Sequence, residues 1–232
     1  MFLQRLKKAI LPDKPTTVPI LRGPFRGAKL HTHLRDNLRK VFGLYEHELN
    51  DWLEAVLPKV ERVLDVGAND GYFTFGCAAA FRRLKHRAHI VAFEPQTECC
   101  DKLRESTRAE AARSGDVTFT VEQTFVGRTD GDGTITLDAA AHRAGRALEP
   151  RRALIKIDVE GAEMDVIEGA SLWLHESNFF VVEIHRREYL EPLKVHFTAA
   201  GLALEQRDMR PLPIIGGELR AEQTWFLVSA LA

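Results

Sequence analysis

The chain is short of cysteine and carries no excess of charge of either sign. Cys77, Cys99 and Cys100 are its three cysteines in 232 residues. Cys99 and Cys100 are adjacent and no C-x-x-C pair occurs, so neither a disulfide framework nor a zinc-binding pattern is present; metal ligands are not expected. Free thiols suit a reducing, cytoplasmic setting. A net charge of −1 gives no electrostatic footprint for nucleic acid, and none is expected as a partner. No apolar run reaches transmembrane length, which argues against stable membrane insertion. The opening M-F-L-Q-R-L-K-K-A-I-L scatters charge through an apolar stretch and lacks a small-residue cleavage site. It is a poor signal peptide and resembles a short basic amphipathic helix. Internal repeats and low-complexity segments are also absent.

What is present fits a soluble α/β domain with a short extension: 45% hydrophobic and 28% charged residues. Pro12 to Gly27 reads as a linker, and R-G-P-F-R-G at its end is a turn signal that could join two short strands. From Tyr45 to Leu57, Leu49, Trp52, Leu53, Val56 and Leu57 recur at helical spacing until Pro58. Residues 1–58 are therefore set apart as an extension, expected to cover a cleft in the domain formed by residues 59–232. The alternative is that the Tyr45 to Leu57 helix only packs on the sheet, with Trp52 and Leu53 as core. Beyond it, strands are expected at Arg62–Val66, His89–Phe93, Val117–Gln123, Leu154–Asp158 and Phe179–Ile184. Helices are expected at Tyr72–Lys85, Thr97–Arg113, Met164–His175 and Leu190–Ala200, and two strand-like runs close the chain, Leu202–Gln206 and Thr224–Ser229. Gly127 to Gly133 is a turn-rich loop whose D-G-D-G lacks the closing acid of a calcium-binding loop. His31 and His33 alternate on a presumed strand and read as surface residues.

Val63 to Gly71 reads V-L-D-V-G-A-N-D-G, and Glu94 ends the next apolar run, I-V-A-F-E-P. A strand, a glycine turn and a helix can cradle a nucleotide-like ligand, with backbone N–H groups at the helix start pointing into the crevice. A carboxylate at Glu94 could accept both hydroxyls of a ribose. Asn69 stands where a dinucleotide fingerprint has its middle glycine, which crowds a diphosphate but not a smaller ligand such as S-adenosylmethionine. The plainer reading, a tight turn in some parallel sheet, is weakened by the two acids.

In a doubly wound sheet, ligands bind at the carboxyl ends of the strands. Asp65, Glu94, Asp158 and His185 all fall there. A second cluster, I-K-I-D-V-E-G-A-E from Ile155 to Glu163, adds Glu160 and Glu163. Acids in a first helical turn also complement the helix dipole, and that reading stands equal for Glu163. Asp158 could be a helix N-cap, and His185 could be a strand-end histidine bonded to backbone. No N-P-P-Y or D-P-P-Y segment follows the fourth strand, which argues against methylation of nucleic-acid bases.

Taken in order, D-V-G-A-N-x-G, F-E-P, I-K-I-D-V-E-G-A-E and V-V-E-I-H resemble the FkbM family of class I S-adenosylmethionine-dependent methyltransferases. The likeness runs from about Gly43, where G-L-Y-E-H-E resembles a stretch ahead of the family's core, to His185. It implies a Rossmann-like, doubly wound α/β sheet, mostly parallel with an antiparallel strand near the C-terminus and helices on both faces. It also implies O-methylation of a hydroxyl on a small molecule, sugar or glycan. Carried over by position, Asp65, Gly67, Asn69 and Gly71 would form the cofactor turn, Glu94 would take the ribose, and Asp158 would lie near the methionine end and the acceptor; Glu46, Ala68, Tyr72, Phe73 and Pro95 are further candidates for holding S-adenosylmethionine. By their location at the strand ends, Asp158 and His185 are the candidate bases, and Glu160 is a further catalytic candidate. Two other classes stay open: an NAD-dependent oxidoreductase on a related sheet, and a cofactor-binding module without turnover.

Overall fold

Short apolar runs buried on both faces, separated by segments of helical spacing, produce a three-layer sandwich. The computed structural model describes residues 11–113, 115–210 and 224–231. A hairpin of β1 (Thr16–Pro19) and β2 (Lys29–Thr32) comes first, then α1 (Leu34–Val41) and α2 (Asn50–Val56). The core follows as β3 (Arg62–Val66), α3 (Tyr72–Leu84), β4 (Ala88–Phe93), α4 (Thr97–Ala111) and β5 (Val117–Glu122). A short pair, β6 (Phe125–Val126) and β7 (Thr134–Ile135), leads to α5 (Leu137–Ala144), β8 (Ala153–Ile157) and α6 (Glu163–Glu168). The chain ends with β9 (Phe179–Ile184), α7 (Leu190–Ala199), β10 (Leu204–Asp208) and β11 (Trp225–Ser229).

The seven-stranded sheet has the order β10-β11-β9-β8-β3-β4-β5. β9, β8, β3, β4 and β5 run parallel, and β11 lies antiparallel between β9 and β10. The order reverses at β3 and β8, the switch point where a doubly wound sheet opens a crevice. Side chains alternate between two cores. Val63, Leu154, Val181 and Phe226 pack with Trp52 of α2 and Phe81 of α3. Leu64, Ile155, Phe180 and Leu227 pack with Leu137 of α5, Val166 of α6 and Phe197 of α7. Among the described residues, no helix is long and apolar enough to cross a membrane.

Several boundaries differ from expectation. The turn signal at Arg22 to Gly27 does join two strands, paired antiparallel. The Tyr45 to Leu57 segment starts as a 3-10 turn at His47–Leu49, and its α-helix begins only at Asn50. The Met164 to His175 helix stops at Glu168 because the chain turns at Gly169, where a Cβ would run into the Gly127 carbonyl. His33 is not on a strand; it directly precedes α1, whose Leu34, Leu38 and Val41 carry a helical spacing overlooked among the charges. α5 was also missed, although the Thr136 side chain accepts the Ala139 N–H at 3.0 Å as a helix cap. The basic helix expected over Met1 to Leu11 lies almost wholly outside the described residues.

Candidate active site

β3 and β8 come so close at their ends that only glycine fits at position 67. Its φ is +83°, and a Cβ there would collide with the Asp158 carbonyl oxygen. The turn that follows is stitched to the neighbouring strand. Gly67 and Ala68 donate their N–H groups to the Phe93 carbonyl at 3.0 and 3.1 Å. Asn69, with φ +46°, donates its N–H to Glu94 Oε2 at 2.9 Å, and the Gln96 N–H donates to Glu94 Oε1 at 2.9 Å. Gly71 N–H bonds the Ala68 carbonyl and Tyr72 N–H bonds Asp70 Oδ1. These amides therefore already have protein partners, which corrects the expectation of a row of donors aimed at a ligand. The turn offers shape, and Glu94 holds that shape.

Two cavities meet at this turn and share Gly67, Asn69 and Asp158. The larger, about 320 Å³, lies between Phe93, Glu94 and Pro95 on one side and Phe125, Val126 and Glu160 on the other. Its volume suits a small-molecule ligand. Phe125 offers an aromatic face there and is 61% exposed. The smaller, about 60 Å³, is enclosed by Lys40, Tyr45, Glu46, Asp65, Tyr72 and Lys156, among others. Lys40 Nζ pairs with Asp70 Oδ2 at 2.6 Å and sits 5.1 and 5.2 Å from the ring centroids of Tyr45 and Tyr72. Glu46, Asn69 and Glu160, all non-glycine residues with positive φ, line these cavities. Such strain concentrates at functional sites.

Charge is buried beneath the smaller cavity. Asp65 and Lys156 are register partners on β3 and β8. Asp65 Oδ2 accepts the Thr74 hydroxyl at 2.6 Å, while its Oδ1 is buried without a hydrogen-bond partner. Burial raises the Asp65 carboxyl above its ordinary range, opposed by Lys156 and by the Thr74 hydrogen bond. Burial works against the Lys156 ammonium, but Asp158, Asp65, Glu46 and Glu183 outweigh it and hold it well above the ordinary lysine value. Lys156 Nζ donates to Asp158 Oδ2 at 2.8 Å.

On the far side of Asp158 stands His185. Its Nε2 is 3.6 Å from Asp158 Oδ1, and its Nδ1 is 2.8 Å from Glu163 Oε1. Glu163 is fully buried and its Oε1 also accepts the Gly161 N–H at 2.9 Å. The hydrogen bond to Glu163 raises the His185 imidazole above its ordinary value, against desolvation and with help from Asp158 and Glu183. Burial opposes the Glu163 charge, yet the hydrogen bonds from His185 and backbone amides bring that carboxyl below its ordinary value.

The structure thus gathers Asp65, Gly67, Asn69, Glu94, Asp158 and His185 at one sheet edge, as their strand-end positions required. Ala68, Tyr72, Phe73 and Glu46 line the smaller cavity, and Pro95 and Glu160 the larger. Gly71 lines neither; it starts α3, and a Cβ there would strike Phe75 and Leu103. His185 lines neither cavity and reaches the site through Asp158. Asp158 is not a helix cap, since α6 begins at Glu163. His185 bonds a carboxylate rather than only backbone, and Glu163 faces His185 rather than solvent. Lys40, Phe125 and Lys156 were missed. Lys156 had a signal: a charge inside the apolar run A-L-I-K-I. Among the described residues, no group of three or more His, Cys, Asp or Glu side chains is placed to hold a metal ion.

Residues 106–206 match the family described as the methyltransferase FkbM domain. The matched span contains Asp158, Glu160, Glu163 and His185 and begins after the glycine turn and Glu94. The hexuronic acid methyltransferase AglP of Haloferax volcanii is 31% identical over 137 residues, 52% of this chain and 54% of that protein. The chain therefore spans about half the length of this curated relative. A solved methyltransferase FkbM from Methylobacillus flagellatus KT shares the fold of this chain, with a TM-score of 0.55 and 16% identity over 84% of this chain and 59% of that one. A precorrin-6y C5,15-methyltransferase from Geobacter metallireducens GS-15 has a TM-score of 0.50 at 14% identity, covering 79% of this chain and 89% of its own. These structures bear on the fold alone.

Proposed function

We propose that the chain is an S-adenosylmethionine-dependent methyltransferase that methylates a hydroxyl of a small molecule, sugar or glycan. The observation that carries the reading is the meeting of the two cavities at Gly67, Asn69 and Asp158. One side has the volume and the carboxylate for a nucleoside: Glu94 for ribose hydroxyls, Phe125 and Val126 walling the base. The other is small and charged, as an amino-acid end requires. The buried, unpartnered Asp65 Oδ1 and the nearby Glu46 suit an ammonium there, and Lys40 suits a carboxylate. Bound so, the cofactor would supply an electrophilic methyl group whose bond to a sulfonium breaks as the new O–C bond forms, leaving the electron pair on neutral sulfur. The chain's own residues must align the acceptor, which can supply about 7–11 kcal/mol, and must take its hydroxyl proton. Asp158, tied to Lys156, orients the acceptor and faces developing positive charge; His185 takes the proton. The sugar preference draws on the hexuronic acid named for the Haloferax relative. In this reading residues 1–58 form an extension to a catalytic domain of residues 59–232, and its Lys40 to Glu46 stretch closes the smaller cavity.

Calorimetry with S-adenosylhomocysteine is the test. Binding is expected for the wild type, weakened about tenfold or more in Glu94→Ala, since a hydrogen bond to a charged group contributes about 1.5–3 kcal/mol. Thermal shift by NADH instead of S-adenosylhomocysteine would favour the oxidoreductase reading, and unchanged affinity in a folded Glu94→Ala would remove Glu94 from the site.

A further inference from the structure

We infer that Glu163 is a positioning residue that fixes the His185 ring with Nε2 unprotonated and turned toward Asp158. The inference rests on the proposed methyl transfer only for its purpose, not for its geometry. Neutral imidazole has one N–H, and which nitrogen carries it depends on the partner of the other. Glu163 Oε1, 2.8 Å from Nδ1, can only accept, so the proton sits on Nδ1. Glu163 cannot swing away. It is fully buried at the start of α6, and the same oxygen accepts the Gly161 N–H. The loop between β8 and α6 is shaped for that bond: Glu160 has φ +50° and Gly161 φ +103°. Nε2 is left facing Asp158 Oδ1 across 3.6 Å, too long for a direct hydrogen bond, and a hydroxyl bonded to both would bridge them. The acceptor O–H proton would pass to Nε2, the freed oxygen pair would form the bond to the methyl carbon, and the resulting imidazolium would be held by Glu163. The charged groups facing His185 are Glu163 from α6, Asp158 beyond β8 with Lys156 behind it, and Glu183 on β9, which ends just before His185.

Nitrogen NMR of the ligand-free wild type tests this without turnover. Above its titration point, His185 is expected as the Nδ1–H tautomer, whereas free imidazole side chains favour Nε2–H. Glu163→Gln keeps the shape and removes the charge, so the His185 titration point is expected to fall by about one pH unit or more. With an acceptor in hand, the acid limb of the kcat profile should move down by the same amount. An Nε2–H tautomer in the wild type, or an unmoved titration point in Glu163→Gln, overturns the inference. The tautomer measurement stands even if that variant does not fold. Failure of the methyltransferase reading is separate: it shows as no binding of S-adenosylhomocysteine.

Discussion

Asp158 Oδ2 is held by Lys156 at 2.8 Å while Oδ1 faces His185 at 3.6 Å, so the two oxygens of one side chain meet two different partners. In the proposed reaction this divides the work: a fixed negative charge from Asp158 and a mobile proton on His185. His185→Ala is then expected to lower kcat by about 10²-fold or more with S-adenosylhomocysteine affinity nearly intact. If that variant keeps full turnover while Asp158→Asn loses it, the base is Asp158. Full activity in both would mean that alignment alone carries the reaction. The relevant residues were unequally legible in the sequence. Asp65, Glu94 and Asp158 announce themselves by ending apolar runs. Lys156 shows only as a charge inside an apolar run and Glu163 only as one acid among several, because their meaning lies in what they face: Lys156 gains its role from a register partner about 90 positions earlier, set by parallel pairing.

Among the elements, α2 packs on the sheet, as one of the two readings of its segment expects. Trp52 and Leu53 are buried against the sheet, and the Trp52 indole N–H donates to the Ser229 carbonyl at 2.8 Å. The turn just ahead of it, with Glu46 at φ +50°, lines the smaller cavity beside Tyr45. The helix packs as core, and we propose that the turn ahead of it covers the cofactor. Hydrogen exchange with and without S-adenosylhomocysteine is expected to show added protection between Leu44 and Leu49 and little change in the helix proper. Uniform exchange across Leu44 to Leu53 in both states would reduce this segment to packing. Short, nearly continuous apolar runs, as strands buried on both faces require, made β3, β4 and β9 readable nearly to the residue. α1 and α5 were not, because helices of eight residues owe their stability to tertiary packing more than to local preference.

For the molecule as a whole, the Glu163–His185 pair ties the start of α6 to the end of β9, and its worth depends on pH. The folded His185 value is raised above the ordinary 6.5, so its contribution is full below that and lost as pH rises through the folded value. The folded Glu163 value lies below the ordinary 4.5, so its contribution is full above that and lost as pH falls through the folded value. The pair should stabilise most between these two ordinary values. Denaturant unfolding of wild type and Glu163→Gln is therefore expected to differ most near about pH 6 and less near about pH 9. A gap that stays constant across that range would mean the pair contributes no charge-dependent stability.

The sequence by itself determined the alternation of strands and helices, and with it the sheet edge at which Asp65, Glu94, Asp158 and His185 gather. Side-chain period and the right-handed crossover leave few other arrangements. Gly67 was also readable as a required glycine, though its reason, the Asp158 carbonyl, was not. Only the tertiary structure decided which groups touch. It committed the turn's amides to Phe93 and Glu94, placed Phe125 against the larger cavity, and set Glu163 behind His185. Those contacts join residues far apart in the chain. Their distances follow from how twisted strands and packed helices settle against one another, which no local pattern encodes.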